Sequence, residues 1–151
     1  YDISYIIVRP TNNYGIGQYV EKLIPNACKC LKMGKKIPMH DGGTPIRNWL
    51  HAQDTADAII NIILSSSKNK IYNISGGFEQ NNLTTVKKII KNYFGDSDFS
   101  SYIDMNINRR GQDIRYSIDD SKLRNIGWKP QKIFDLELPL IIEYYKNKFI
   151  W

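Results

Sequence analysis

Thr11-Asn12-Asn13-Tyr14-Gly15 follows directly on an apolar, β-branched run, and each of its asparagines offers a donor and an acceptor. Such side chains suit sugar hydroxyls or an amide, and in open α/β sheets ligands bind just beyond the carboxyl ends of strands. The same five residues also read as a plain turn, because Asn and Gly supply left-handed backbone. Arg47 sits between apolar Ile46 and the pair Trp49-Leu50. A planar guanidinium in such a setting pairs with phosphate oxygens, or packs its stem on Trp49 and sends its head to water. The densest polar stretch runs from Asn108 to Tyr116 and holds Arg109, Arg110 and Arg115 around Gly111. It suits a diphosphate clasp, where Gly lets the backbone approach the ligand, or else a solvated loop.

Other spacings carry less. Tyr144 and Lys148 stand four apart, as a proton-transfer pair on one helix face would, but they lie in the last helical pattern and follow no strand-borne Ser or Thr, so they read as surface residues. Gly15-Ile16-Gly17 has no third glycine to complete a dinucleotide fingerprint. His40 and His51 have no companions at metal-ligand spacing, so no metal site is expected.

The elements that must position these groups follow from periodicity. Tyr5 to Arg9 reads as a buried strand ending at Pro10. Glu21 to Met33 has helical spacing, with Pro25 in the first turn and Gly34 closing it. Asp41-Gly42-Gly43 is a turn. Asp54 is expected to cap a helix with Ala56, Ile59, Ile60 and Ile63 on its inner face. Lys70 to Ser75 is a second strand. Asn82 is expected to cap a helix from Leu83 to Phe94, with Leu83, Val86, Ile90, Tyr93 and Phe94 inward. Asp104 to Asn108 is a short strand, Asp119 or Asp120 opens a short helix ending at Gly127, and Phe134 to Lys148 is a closing helix buried through Phe134, Leu138, Ile141, Ile142 and Tyr145. Strands alternating with helices give an α/β fold.

With 151 residues the chain makes one domain, and its apolar runs are too short to span a membrane. The net charge is +6, carried by Lys with abundant Ile and Asn, a bias that AT-rich coding sequence produces, so nucleic acid is not an expected partner. Cys28 and Cys30 read as reduced thiols, which fits a cytoplasmic setting, and no secretory leader is visible. The first residue is Tyr, close to a strand pattern, and the sequence reads as a piece of a longer protein.

Taken in order, Asn12-Asn13-Tyr14-Gly15, Glu21 to Pro25, Ile37-Pro38-Met39-His40, Ile46 to Leu50 with Asp54 four residues on, Tyr72 to Gly77, Asn108 to Tyr116 and Leu123 to Pro130 resemble the C-terminal half of nucleotide-sugar 4,6-dehydratases. These are extended short-chain dehydrogenases/reductases. The resemblance covers Tyr5 to Tyr145, and the Tyr72 to Gly77 motif is shared with sugar-nucleotide epimerases and decarboxylases. It implies the C-terminal part of a Rossmann-type fold, contributing the last strands of a parallel sheet and a small substrate-binding domain. It also implies an NAD-dependent lyase, commonly dimeric, that oxidises the sugar at C4, eliminates water across C5 and C6 and returns the hydride to C6.

The family's Gly-rich NAD loop, Tyr-Lys pair and acidic pair lie upstream of the matching region, so no catalytic residue is expected here and the piece alone is expected to be inactive. By the resemblance, Asn12 touches the substrate and Asn13 lies on the nicotinamide side. Lys22 and Leu23 line the nucleotide site, and Pro38, Met39 and His40 flank the base. Arg47 binds the diphosphate and Asn82 the nucleotide end, while Arg109, Gly111 and Asp113 close over diphosphate and ribose with Tyr116 beside them. Arg110 and Gln112 stand where the bacterial dTDP-glucose pattern has Pro and His, and His40 where it has Tyr. These forms look more like eukaryotic UDP-glucose 4,6-dehydratases, so UDP-glucose and dTDP-glucose are both carried forward. The rival readings are a UDP-sugar epimerase or decarboxylase relative and a non-catalytic nucleotide-sugar binding module.

Overall fold

The computed structural model describes residues 3–65, 68–95, 98–107, 111 and 113–148. Strand β1 (Ile6–Pro10) pairs in parallel with β5 (Lys70–Ile74), from Ile6 opposite Lys70 to Pro10 opposite Ile74. One more bond, Thr11 N–H to Ile74 O at 2.9 Å, continues that ladder. The chain then changes partners. Asn12–Tyr14 forms β2, parallel to β4 (Ile46–His51), with Asn12 opposite Trp49. On its other side β4 carries β6 (Phe78–Asn81) antiparallel. A separate parallel pair joins β3 (Ile37–His40) to β7 (Ile103–Ile107). The sequence marks β1, β5 and β7, although β1 is not the buried strand expected: Ile6 and Val8 are half-buried and Ile7, Arg9 and Pro10 are exposed. It does not mark β2 and β6, which are short and polar, β3, which contains Pro38, or β4, where Arg47 and Asn48 interrupt the apolar run.

Helix α1 (Leu23–Lys32) closes as expected at Gly34, whose φ is +64°. Lys35 N–H bonds Cys30 O at 2.8 Å and Gly34 N–H bonds Leu31 O at 3.2 Å, the double closure of a Schellman motif. Two caps differ from expectation. Helix α2 (Ala52–Leu64) is capped by His51, whose Nδ1 accepts from Gln53 N–H at 3.2 Å. Asp54 is instead buried in the first turn, where its carboxylate accepts the N–H groups of Gln131 and Lys132 at 2.9 and 3.1 Å. That carboxylate sets the helix's inner face. Asp54, Ala58 and Ile62 point inward at a spacing of four, whereas Ile60 and Ile63 are 53% and 61% exposed and Ala56 is exposed as well.

Helix α3 (Asn82–Phe94) is capped by Asn81, whose side chain accepts from Thr84 N–H at 2.7 Å, one residue earlier than expected. Its inner face is Val86, Ile89 and Ile90, while Phe94 lies half-exposed against Tyr102. The short α4 (Ser121–Arg124) and the closing α5 (Phe134–Asn147) match the expected pattern. Tyr144 is half-buried against the core and edge-on to Tyr145, not a surface residue, whereas Lys148 is exposed.

The main core gathers the inner faces of α1, α3 and α5 with Tyr14, Ile37, Met39 and Trp49. A second core holds Leu50, Ala58, Ile62, Tyr72, Ile74, Leu123 and Trp128. Between them Asn48 is buried at 4% exposure, and its Oδ1 accepts from Thr11 Oγ1 and Gly76 N–H at 3.0 Å each and from Ser75 Oγ at 3.3 Å. Gly76 must lack a side chain, since a Cβ there would lie 1.7 Å from Trp49 O.

His51 makes this fold pH-sensitive. Its ring lies edge-on to Tyr14, and its Nε2 is 3.9 Å from Glu137 Oε2. Burial lowers its pKa, with Glu137 opposing and Lys132 adding to the decrease. The folded state therefore holds the neutral ring, whose Nδ1 must stay unprotonated to cap α2. The unfolded chain takes up its proton first, near the usual imidazole value of about 6.5. This contribution is present above that pH and is lost as pH falls through it. Denaturant midpoints should fall between about pH 7.5 and about pH 5.5, and His51→Asn, which keeps a capping side chain, should flatten the fall. An equal slope in the variant would refute the assignment to His51.

Candidate functional site

A cleft of about 680 Å³ opens over β2 and β4 beside the first turns of α1 and α3. Its floor is Asn12 and Asn13 from β2 with Arg47 and Trp49 from β4, and its sides carry Lys22 and Leu23, Pro38 and His40, and Asn82. Gly111, Asp113 and Tyr116 form the roof. The structure thus brings together every described residue that the resemblance assigned to the site except Met39. Met39 is 2% exposed and packs in the core: alternation along β3 turns Pro38 and His40 to the cleft and Ile37 and Met39 away from it. Only its backbone remains for a ligand. Arg109 lies outside the described residues, as do Asn108, Arg110 and Gln112.

Arg47 is held by neutral groups. Its Nη1 donates to the carbonyls of Ile46 at 2.8 Å and Asp113 at 3.0 Å, and its guanidinium lies 4.8 Å from the centre of the Tyr116 ring. Among the described residues no carboxylate pairs with it. Arg115 and Arg124, by contrast, are neutralised by Glu79 at 2.8 Å and Asp120 at 2.9 Å. Arg115 is therefore a strut and not part of a clasp. With the bonds from Ile46 N–H to Ile114 O and from Tyr116 N–H to Ile46 O, it fastens the roof to β4. An oriented, half-buried cation without a counter-ion is suited to an anion, and phosphate oxygens match its fork.

Lys22 likewise has no acidic partner among the described residues, and it stands at the N-cap of α1 without capping it. The positive end of that helix therefore opens on the same space. Asn12 makes no side-chain hydrogen bond among the described residues, so its whole amide is available. Asn13 is more constrained: its Nδ2 donates to Thr11 O at 3.0 Å and its Oδ1 accepts from Thr55 Oγ1 at 2.6 Å. One hydrogen and one lone pair remain to it.

Three side-chain polar atoms are buried without a partner among the described residues: His40 Nδ1, Trp49 Nε1 and Asn82 Oδ1. All three residues line this cleft. Gln18, Glu21, Asn26 and Trp49 also line it and were not singled out from the sequence. Gln18 and Glu21 follow the glycine turn, a signal that could have pointed to them. Trp49 reads as core until its strand register with Arg47 is known. The cysteines lie elsewhere. Cys28 is fully buried, its thiol pushed up to about 12, and burial raises that of Cys30 too. Among the described residues no cluster could hold a metal ion, and no helix is long and apolar enough to cross a membrane.

Residues 1–75 match the NAD dependent epimerase/dehydratase family. The chain is 32% identical over 145 residues to the low-salt glycan biosynthesis protein Agl12 of Haloferax volcanii, covering 96% of this chain and 46% of that protein. It is 32% identical to the dTDP-glucose 4,6-dehydratase of Escherichia coli, covering 100% of this chain and 44% of that one. The crystal structure of dTDP-glucose 4,6-dehydratase from Bacillus anthracis in complex with NAD superposes with a TM-score of 0.86 at 33% identity, over 97% of this chain and 46% of that one. The chain thus spans a little under half the length of the relatives it matches. Its α/β fold with parallel strand pairs matches the corresponding part of the Rossmann-like fold of extended short-chain dehydrogenases/reductases.

A polar atom buried without a partner weakens the folded protein. Asn82→Ala removes the unpartnered Oδ1 while Asn81 still caps α3, so it should stabilise the ligand-free chain by about 1 kcal/mol in chemical denaturation. A loss of stability of that size would mean that Asn82 serves the fold.

Proposed function

We propose that this chain, of the NAD-dependent epimerase/dehydratase type, is over residues 1–151 the substrate-binding portion of a nucleotide-sugar 4,6-dehydratase acting on UDP-glucose or dTDP-glucose. The observation that carries the reading is Arg47, a guanidinium fixed by two carbonyls and a tyrosine ring, without a carboxylate among the described residues, in the wall of the cleft. The cleft volume falls within the range of about 300–1,000 Å³ usual for small-molecule sites. The dehydratase names of the relatives support the same reaction class.

In this reading Arg47 holds the diphosphate under the roof of Gly111, Asp113 and Tyr116, and the resemblance assigns Arg109 to the same group. Lys22 and Leu23 border the nucleotide at the positive end of α1. Pro38, His40 and the backbone of Met39 flank the base, and Asn82 meets the nucleotide end. Asn12 reaches the sugar, and Asn13, oriented by Thr55 and Thr11, lies on the nicotinamide side. NAD supplies the hydride acceptor. Asn13 fits a peripheral contact with it and no more, and among the described residues the cleft shows no Tyr-Lys pair or Gly-rich loop. We therefore assign most of the NAD site, and the proton-transfer groups, to a half outside this chain. A homodimer of the whole enzyme belongs to the same proposal.

Calorimetric titration of the chain with UDP-glucose and dTDP-glucose tests the site. Binding of one or both is expected, and Arg47→Ala should weaken it about tenfold to a hundredfold, the loss of a charge-assisted hydrogen bond. An Arg47→Ala chain that binds as tightly as the parent would remove the diphosphate assignment. With NAD added, the chain alone should form no 4-keto sugar nucleotide. Detecting that product would show that the proton-transfer groups lie within these residues after all.

A further inference from the structure

Glu79 and Arg115 meet on the face of β4 that looks away from the cleft. Paired strand residues send their side chains to the same face, and successive residues to opposite faces. Arg115 is bridged to Ile46 and Glu79 stands opposite Asn48, whereas Arg47 and Trp49, at the alternate positions, line the cleft. The roof and β6 flank β4 on opposite edges at Ile46, so the pair spans the strand from behind. Arg115 donates from Nε at 2.9 Å to Glu79 Oε2, and its Nη2 lies 2.8 Å from the same oxygen. Neither residue lines the cleft. With Arg115 56% exposed, such a pair adds little to overall stability. Its position gives it a different use.

The roof's backbone hold on β4 is slight. Ile46 N–H bonds Ile114 O at 2.8 Å, but Tyr116 N–H lies 3.4 Å from Ile46 O, and the pairing is a single bridge rather than a ladder. Yet the roof supplies most of what orients Arg47. Asp113 O and the Tyr116 ring belong to it, and Ile46 O to the arginine's own strand. A roof that slipped would leave the guanidinium on Ile46 O alone, and a ligand would then have to order a long, rotamer-rich side chain. We infer that Glu79 and Arg115 are positioning residues for Arg47, a conclusion that rests on the reading of the cleft as a nucleotide-sugar site. The ion pair behind β4 holds the roof where Asp113 and Tyr116 aim the guanidinium at a diphosphate. Plain electrostatics gives the opposite sign. Glu79 is an acid beside Gln80, which stands opposite Arg47, so removing its charge would by Coulomb's law alone strengthen anion binding. Loss of the positioning contact weakens it.

The test is calorimetric titration of the intact 151-residue chain with UDP-glucose, dTDP-glucose and UDP. Glu79→Gln should weaken the binding of each about threefold, the scale of a lost exposed ion pair, although it removes a negative charge. Exchanging the pair, Glu79→Arg together with Arg115→Glu, should return affinity to within about twofold of the parent. On an Arg47→Ala background Glu79→Gln should change nothing further, because the pair acts through Arg47. A Glu79→Gln chain that binds as tightly as the parent, or more tightly, would overturn the inference, while a loss on Arg47→Ala would still uphold the site. So would an exchanged pair that binds no better than Glu79→Gln, or an equal loss on both backgrounds, which would mean that the pair serves the fold alone. If none of the three ligands binds the parent chain, the nucleotide-sugar reading falls and this inference with it. Should Glu79→Gln fail to fold, Arg115→Gln is read on the same two backgrounds: a loss confined to the chain that keeps Arg47 supports the inference, and an equal loss on both overturns it.

Discussion

The carboxamide oxygen of Asn48 ties together three segments far apart in the chain. It accepts from Thr11, where β1 gives way to β2, and from Ser75 and Gly76, where β5 ends. Being buried, it has no water to fall back on, and its donors would be left unsatisfied by any apolar replacement. This junction lets the chain leave the β1–β5 pair and continue beside β4. The close approach of Gly76 to the Trp49 carbonyl belongs to the same junction. If either changed, Asn12 would no longer face Trp49, and the cleft would lose its floor.

The C-terminal helix braces that floor from behind. Asp54 grips the backbone at Gln131 and Lys132, which delivers Phe134 to the faces of Tyr14, Trp49 and Phe78. At the far end of α5, Tyr145 donates to Gln18 O, and Gln18 in turn donates to Asn13 O. Two cleft residues are thus positioned by contacts more than a hundred residues away in sequence. A binding site on strand ends and helix starts gains rigidity when its backing is this well packed.

Helices were legible where one apolar stripe had no competitor. α1, α3 and α5 follow their spacing, with Phe94 alone displaced from the inner face of α3. α2 misleads because isoleucines run around it: Ile59, Ile60, Ile62 and Ile63 cover more than one face. A single buried carboxylate, Asp54, settles which face goes in, and nothing in a hydrophobic pattern weighs that. The strands around the cleft were not legible because polar residues or Pro38 break their apolar pattern, and their pairing comes from elsewhere in the chain, as with Asn12 and Trp49. For the site, residue chemistry singled out Arg47 and the two asparagines, and the family resemblance supplied the rest. Met39 was lost to strand alternation. Trp49 was missed because an indole among apolar neighbours looks like core, and its unused donor shows only once its surroundings are known.

Local rules are broken in one place rather than at random. Among the described residues the unpartnered buried atoms of His40, Trp49 and Asn82 and the uncompensated charge of Arg47 belong to residues lining a single cleft, whereas the side-chain oxygens of Asn48, Asp54 and Thr85, buried elsewhere, are all engaged. Scattered violations would suggest imperfect packing. Violations gathered around one space mark that space as the candidate site, and the charge of Arg47 is the one that an anionic ligand there would relieve directly.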